Sequence, residues 1–177
     1  MSAISKIKPF LRPAIQTAIL MSAGDIIAQT VIYKRSFNEI DLRRTRQFAC
    51  LGFFLVGPTT STWYRFLARK IVSTNTRGTL KKVVLDQCVF APSFIVVLLY
   101  AIGLAKGNES EMIISDIKNN YKDVLITNYK LFPAVQLINF YFVPLKHQVL
   151  LVQFVALVFN TYLSMKTHSS TEKIVEK

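Results

Sequence analysis

Apolar residues along the chain fall into long windows without charged side chains. Three windows cover residues 47–64, 87–105 and 147–165, and a fourth, 13–33, is interrupted only by Asp25. Each is about 18–21 residues long, close to the roughly 20 that a helix needs to cross the hydrocarbon core of a bilayer. A fifth window, 131–145, is shorter and has an ambiguous length. The pattern predicts an all-α integral membrane bundle with about four spanning helices.

Connectors and prolines set the predicted helix bounds within a single membrane domain. Residues 111–124 alternate apolar and charged side chains at helical spacing, which predicts an amphipathic helix on the membrane surface. The tail, 167–177, is polar and expected to be solvated. Pro9 and Pro13 are placed at the entry to the first helix. The predicted helices cover about 12–33, 42–70, 80–105, 127–143 and 145–166, within a domain of residues 1–177, with kinks or turns expected at Pro58, Pro92, Pro133 and Pro144.

Composition weighs against the alternative of a soluble helical protein with an apolar core. Hydrophobic residues make up 51% of the 177 residues and charged residues only 18%, whereas an average soluble domain has about 25% charged residues. Four windows of near-spanning length in so short a chain favour the membrane interpretation.

The net charge of +12 comes from cations that lie mostly between the apolar windows. Anionic headgroups attract such residues by roughly 1 kcal/mol each, so membrane lipid is an expected partner. Since no zinc spacing, helix-turn-helix signature or aromatic RNA-binding motif accompanies the cations, direct nucleic acid binding is not expected. The first two connectors are both basic, which leaves the orientation open. These cations are Lys34, Arg35, Arg43, Arg44, Arg46, Arg65, Arg69, Lys70, Arg77, Lys81 and Lys82.

Two intramembrane carboxyl groups are the leading candidates for function. Asp at a helix centre costs about 2.5–3.5 kcal/mol, so such a residue usually faces the bundle interior or water. Asp25 has Gln29 one turn further on the same face, and Asp86 is followed directly by Gln87. Two interpretations stay open: a polar lining of a water-filled path, or interior pairing of Asp25 or Asp86 with an arginine of the second helix.

Gln136 and Asn139 lie three residues apart on one face of a predicted helix. Pro133 frees a carbonyl that nearby amides can satisfy, so these amides can join helices. A lining for solutes is the alternative. Cys50 and Cys88 lie in apolar windows without CxxC spacing and are interpreted as small buried residues; whether they are redox-active is left open.

Catalytic and cofactor signatures are not found in the sequence. His147 and His168 lie far from any cysteine or pair of carboxylates, and GxSxG, HExxH and P-loop patterns are missing. We therefore expect no enzyme activity, no cofactor and no metal site. The basic start of the chain, with Lys6, Lys8 and Arg12 ahead of the first acidic residue, is compatible with mitochondrial import.

Ordered motifs along almost the whole chain resemble the Mpv17 / PMP22 (peroxisomal membrane protein) family. They are GD at 24–25 with Gln29, DLRRTR at 41–46, GP at 57–58, WY at 63–64, DQ at 86–87 with Pro92, PAVQLINFYFVPL at 133–145 and NTYLS at 160–164. The stretch DVLITNYKLFPAVQLINFYFVPL is most similar to the family's mitochondrial inner-membrane member. Tryptophan is usual in the family where Phe132 and Phe159 stand, and arginine where Gln148 stands.

The resemblance implies a small multi-spanning helical protein without known catalysis. It further implies a channel-like protein of the mitochondrial inner membrane, linked to mitochondrial DNA maintenance, membrane potential and reactive oxygen species. With the polar positions, it favours a weakly selective pore for ions or small solutes, in which a homo-oligomer is possible. The alternatives are a non-conducting structural protein that organises an inner-membrane complex, or a channel of the peroxisomal membrane.

Overall fold

The computed structural model describes residues 3–33, 36–72 and 75–158, with the backbone alone at 3–9 and at Ile32. Regular structure in these ranges is helical, so the predicted all-α class is confirmed. Helix α1 covers Ala3–Ile27 and continues as a π turn over Ala28–Ile32. A short 3-10 turn, Phe37–Glu39, leads to α2, which covers 42–70. Helix α3 covers Thr76–Ala105, α4 covers Ser110–Phe142 and α5 is described over Leu145–Val158.

Helix starts differ from the sequence prediction at two places. Helix α1 begins at Ala3 rather than near residue 12, so Pro9 and Pro13 lie within it instead of at its entry. The φ angle of proline suits an α-helix, and the helix continues through both residues although each lacks the N–H of a regular helical hydrogen bond. Helix α3 begins at Thr76 rather than near residue 80, because the Asn75 side chain accepts a hydrogen bond from Gly78 N and caps it.

The predicted surface helix and the helix that follows it are one element. Residues 110–142 form a single 33-residue helix that passes through Pro133 without a break, so the division at residues 125–126 is wrong. The connector before it, residues 106–109, contains Gly107, whose φ of 84° favours glycine. Pro144 lies between α4 and α5, as predicted for a turn. The predicted end of α5 at residue 166, the tail 167–177, Phe159 and Asn160 lie outside the described residues.

Two prolines in the middle of helices follow π turns at the same distance. In α2 the π turn is Gly52–Val56 and Pro58 comes two residues later; in α3 it is Asp86–Phe90, followed in the same way by Pro92. Proline has no N–H to donate and its ring crowds the carbonyl four residues earlier. A wider turn relieves that crowding, so the predicted disturbance at both prolines takes the form of a π turn.

Contacts along the chain form two compact units. One consists of the described residues up to Pro58 together with those from Gln153 onward, and the other is Thr59–Val152. The sequence predicts a single membrane domain, and its uniform apolar pattern gives no sign of this division. Each unit is described by itself below.

In the first unit, small residues bring α1 and α2 into backbone contact. A Cβ on Gly52 would lie 2.9 Å from Ala18 Cα, and one on Gly57 would lie 2.7 Å from Ala14 Cα. Small residues at helix interfaces are typical of membrane proteins, where packing rather than the hydrophobic effect holds helices together.

In the second unit, the core lies where the end of α2 and the start of α3 meet the end of α4 and the start of α5. Tyr64 and Leu67 are almost completely buried, at 2% and 0% exposure, and the Tyr64 ring contacts Phe140 edge to face at 5.2 Å. Phe132 packs against this core. It is one of the two positions at which the resembled family usually has tryptophan. The core cluster is Tyr64, Leu67, Val83, Phe140, Val149 and Val152.

Two described helices are long and apolar enough to cross a membrane, Phe10–Val31 and Thr76–Ala105, and Leu145–Val158 is apolar but shorter. Only 11% of the most apolar window of Thr76–Ala105 is buried within the protein. The core helix of a soluble protein would be mostly buried, whereas a helix in lipid keeps its apolar side chains outward. The cysteines follow the same pattern: Cys50 and Cys88 are exposed and free, so the expectation that they are buried is wrong.

Candidate functional site

The polar residues singled out in the sequence lie in two clusters, one in each unit. Asp25 and Gln29 belong to the first, which we call the Asp25 cluster and which also contains Asp41, Arg44 and Thr45. The second, which we call the Asp86 cluster, consists of Trp63, Tyr64, Asp86, Gln87, Gln136 and Asn139.

The Asp25 cluster forms where α1 meets the start of α2. Asp41 caps α2, because its side chain accepts a hydrogen bond from Arg44 N at 3.1 Å. This start of the helix places Arg44 and Thr45 against α1. Gln29 lies one turn after Asp25, and its Oε1 accepts a hydrogen bond from Asp41 N at 2.7 Å.

Each oxygen of the Asp25 carboxylate has a partner. Oδ1 lies 2.7 Å from Arg44 Nε, while Oδ2 accepts hydrogen bonds from Thr45 Oγ1 at 2.7 Å and Gln29 Nε2 at 2.8 Å. The Arg44 guanidinium also lies over the Tyr33 ring, 5.2 Å from its centroid. Since the carboxylate is paired with a cation, this cluster matches the interpretation of interior pairing with an arginine of the second helix.

The Asp86 carboxylate is held differently. It is 2% exposed, and it accepts hydrogen bonds from Trp63 Nε1 at 2.9 Å, Gln136 Nε2 at 2.8 Å and Gln87 Nε2 at 2.9 Å. All three donors are neutral. Within the described residues no salt bridge to Asp86 is found, so here the pairing with an arginine that the sequence left open is not formed.

A chain of hydrogen bonds leads from Asp86 into α4. Gln136 Nε2 also donates to Tyr64 Oη at 2.7 Å, and Asn139 Nδ2 donates to Gln136 Oε1 at 2.9 Å. Asn139 is fully buried, and its Oδ1 has no hydrogen-bond partner in the part of the chain that the structure describes. Gln136 and Asn139 therefore join helices, as the packing interpretation predicts, and also leave one buried acceptor open.

The π turn in α3 brings Gln87 into the same network. Pro92 has no N–H to offer the Gln87 carbonyl five residues earlier, and the Tyr129 hydroxyl donates to that carbonyl at 2.9 Å. Asn128 Nδ2 donates to Gln87 Oε1 at 3.3 Å. π turns occur frequently at functional sites, and this one presents Asp86 and Gln87 together.

Several members of these clusters were not foreseen from the sequence as site residues. The sequence Trp63-Tyr64-Arg65 is typical of an anchor at a membrane interface, yet Tyr64 is buried and the Trp63 indole donates a hydrogen bond to Asp86. Arg44 and Thr45 stood in the DLRRTR motif without an assigned role. An indole N–H is a suitable donor for a buried carboxylate, so Trp63 was a possible partner for Asp86 by residue type. The two residues lie 23 positions apart, however, and only the fold shows that they meet.

Gln148, where the family usually has arginine, has a clear structural role. It is 7% exposed, and its Nε2 donates to the carbonyls of Val143 at 3.0 Å and Asn139 at 3.5 Å. These carbonyls lie at the C-terminal end of α4, where backbone carbonyls run short of donors within the helix; the Asn139 carbonyl also accepts a hydrogen bond from Val143 N at 3.2 Å. An amide satisfies that end without adding a charge.

Known proteins resemble the chain over most of its length. The model of the Mpv17 / PMP22 family matches residues 103–164. The chain is 39% identical to the mitochondrial inner membrane protein Mpv17 of Drosophila melanogaster, over 94% of this chain and 100% of the relative. It is 43% identical to the human protein of that name, over 84% of this chain and 85% of the relative.

A fungal relative of lower identity is also covered over most of its length. The chain is 37% identical to protein sym-1 of Neurospora crassa, over 89% of this chain and 91% of the relative. No solved structure matches the chain significantly.

Proposed function

Because the chain belongs to the Mpv17 / PMP22 family, we propose that it acts as a weakly selective channel or solute pore. It is a helical protein of the mitochondrial inner membrane, since close relatives carry that location in their names and its apolar helices suit insertion. The peroxisomal alternative has no support among these relatives. The proposal is of a transport protein and not of an enzyme.

One observation carries the channel proposal: Asp86 is a buried carboxylate bonded only to neutral donors among the described residues. Helices can be joined by amides at far lower desolvation cost than by an unpaired charge. Intramembrane acidic residues commonly mark ion pathways for this reason. The open acceptor on Asn139 adds a second polar atom without a donor to the same cluster.

The Asp25 cluster supports the second candidate, a non-conducting protein that organises a membrane complex. Its carboxylate is neutralised by Arg44 and hydrogen-bonded by Thr45 and Gln29, an arrangement suited to holding α1 on α2. We therefore assign a structural part to Asp25 and reserve the solute path for Asp86. This refines the sequence-based hypothesis, which gave both aspartates the same role.

Conductance of purified protein in a planar bilayer tests the channel proposal. We expect wild-type protein to conduct, and Asp86→Asn to lower its preference for cations over anions because a fixed negative charge is removed. Asp116→Asn is the matched control, since Asp116 is an exposed carboxylate on α4 away from the cluster. The absence of conductance and solute flux from folded wild-type protein would refute the proposal. Equal ion selectivity of Asp86→Asn and Asp116→Asn would show that Asp86 does not line the path.

We propose further that this transport supports mitochondrial DNA maintenance and the control of membrane potential and reactive oxygen species. The support is the family resemblance and the location in the inner membrane. The passing solutes would be small, ionic or both, with no direct contact between the protein and nucleic acid.

A further inference from the structure

A groove runs between the second half of α3 and the first half of α4, away from both polar clusters. The helices approach closely at one end of it, where a Cβ on Gly103 would lie 2.7 Å from Ile113 Cγ1. At the other end the Tyr121 hydroxyl donates to the Pro92 carbonyl at 3.3 Å. Between these contacts the helices leave a cavity of about 390 Å³, lined by Val96, Val97, Tyr100, Ile114, Ile117 and Lys118.

The walls of this groove are apolar and accessible. Val96, Val97 and Ile114 are 40%, 48% and 46% exposed. The volume falls within the roughly 300–1,000 Å³ of sites that hold small organic molecules. Since α3 is one of the membrane-crossing candidates, the surroundings that reach these walls are rich in acyl chains.

Charge around the groove is unequally distributed. Lys118 lines it, and Lys122 lies one turn further on the same edge of α4. Asp116 and Asp123 fall on the opposite side of α4 by helical spacing, while Glu111 lies on the lysine edge two turns before Lys118. Between Asp86 and Lys106, α3 has no charged side chain. The edge next to the cavity is therefore cationic.

We propose that this groove binds one acyl chain of an anionic phospholipid, with the lipid phosphate held by Lys118. The apolar walls accept the chain, and the long stem of Lys118 lets its ammonium group extend toward the headgroup level. The charge selects an anionic headgroup over a zwitterionic one. This site does not depend on the channel proposal, because it shares no residue with the Asp86 cluster.

Native mass spectrometry of the full-length protein in detergent tests the headgroup preference. Phosphatidylglycerol and phosphatidylcholine with identical acyl chains are added in equal amounts, and the retained ratio is measured. We expect wild-type protein to retain phosphatidylglycerol preferentially, and Lys118→Gln to lower the ratio about fivefold. Lys130→Gln is the matched control, because Lys130 is an exposed lysine of α4 outside the groove. Equal retention of both lipids by wild-type protein would overturn the proposal.

A bulky side chain in the groove tests the acyl-chain part separately. Val97→Trp should fill the cavity and reduce retention of both lipids, whereas Val84→Trp, at a position of similar exposure outside the groove, should not. Unchanged circular dichroism confirms that the exposed substitutions leave the helices folded. If Val97→Trp retains lipid like wild type, the groove is not the binding site. A lipid-free wild-type dimer that Val97→Trp dissociates would assign the groove to a second copy and overturn the lipid proposal.

Discussion

Asp25 and Asp86 are similarly buried, at 5% and 2% exposure, but their partners differ in charge. Asp25 lies against the guanidinium of Arg44, whereas the donors to Asp86 are an indole and two amides. A paired carboxylate and a carboxylate among neutral donors respond differently to the loss of one partner, because only the first has a counter-charge to lose.

Arg44→Gln should destabilise the protein more than Asp25→Asn combined with Arg44→Gln. The single change leaves a carboxylate that is 1% exposed without its cation. Removing one partner of a fully buried pair costs about 3–5 kcal/mol. We expect about 2–3 kcal/mol here, since Arg44 is 33% exposed and partly screened by solvent.

Thermal unfolding in detergent measures the difference between these variants. Arg43→Gln is the control, because Arg43 is an exposed neighbour in the same motif. If the double variant is no more stable than Arg44→Gln, the pairing does not account for the role of Arg44.

The candidate site could be predicted from sequence as a set of residue types but not as an arrangement. A charged residue within or beside an apolar window can be recognised from the sequence alone, and this is how Asp25 and Asp86 are identified as candidates. The choice of Arg44 among the arginines of its motif depends on which face of α2 meets α1. The hydrogen bond of Trp63 to Asp86 could not be predicted, because an indole beside a tyrosine and an arginine is equally typical of a membrane interface.

At the scale of elements, π turns and close backbone contacts determine how the helices meet. The π turn Gly52–Val56 lies against α1, and Gly57 follows it directly. The sequence predicts that the helices are irregular at Pro58 and Pro92, but it does not predict the form of the irregularity. A kink and a π turn can both accommodate a residue without an N–H. The continuity of α4 was missed because a charged half followed by an apolar half looks like two helices.

Gly57→Ala should lower stability by about 1–3 kcal/mol, since the added methyl group meets backbone at Ala14 Cα and Pro13 O. Gly24→Ala is the matched control: its methyl group meets only the end of the flexible Leu157 side chain. The temperature of half-unfolding should fall clearly for the first variant and little for the second. Equal effects would show that the backbone contact of α1 and α2 is not tight.

On the scale of the whole molecule, apolar windows were sufficient to predict the class of fold. In lipid, a spanning segment whose backbone groups can bond only to one another must form a helix. The length and hydropathy of such a helix can therefore be read from the sequence. The division into two units was not predictable, because it depends on which residues distant in sequence touch. Many large apolar side chains lie exposed on the outside of the helices, and periodicity alone therefore separates the faces poorly.

The proposed support of mitochondrial DNA maintenance is testable only on the whole protein in its membrane. In cells whose own copy of the protein is deleted, we expect mitochondrial DNA copy number to fall and wild-type protein to restore it. Asp86→Asn should restore it incompletely, and Asp116→Asn fully. Copy number that Asp86→Asn restores as well as wild type, at equal protein level, would contradict a need for the Asp86 path.

The π turn in α3 also changes the direction in which the later side chains of the helix point. A π turn holds one residue more than the turns around it, so the angular phase of every side chain after Phe90 is advanced by about 100° relative to an unbroken helix. The face of α3 that carries Asp86 therefore does not continue beyond the π turn at the usual steps of three and four residues. Removing a single residue from Asp86–Phe90 would realign the two halves of α3 and rotate one set of side chains, either the polar cluster or the groove, away from its neighbours.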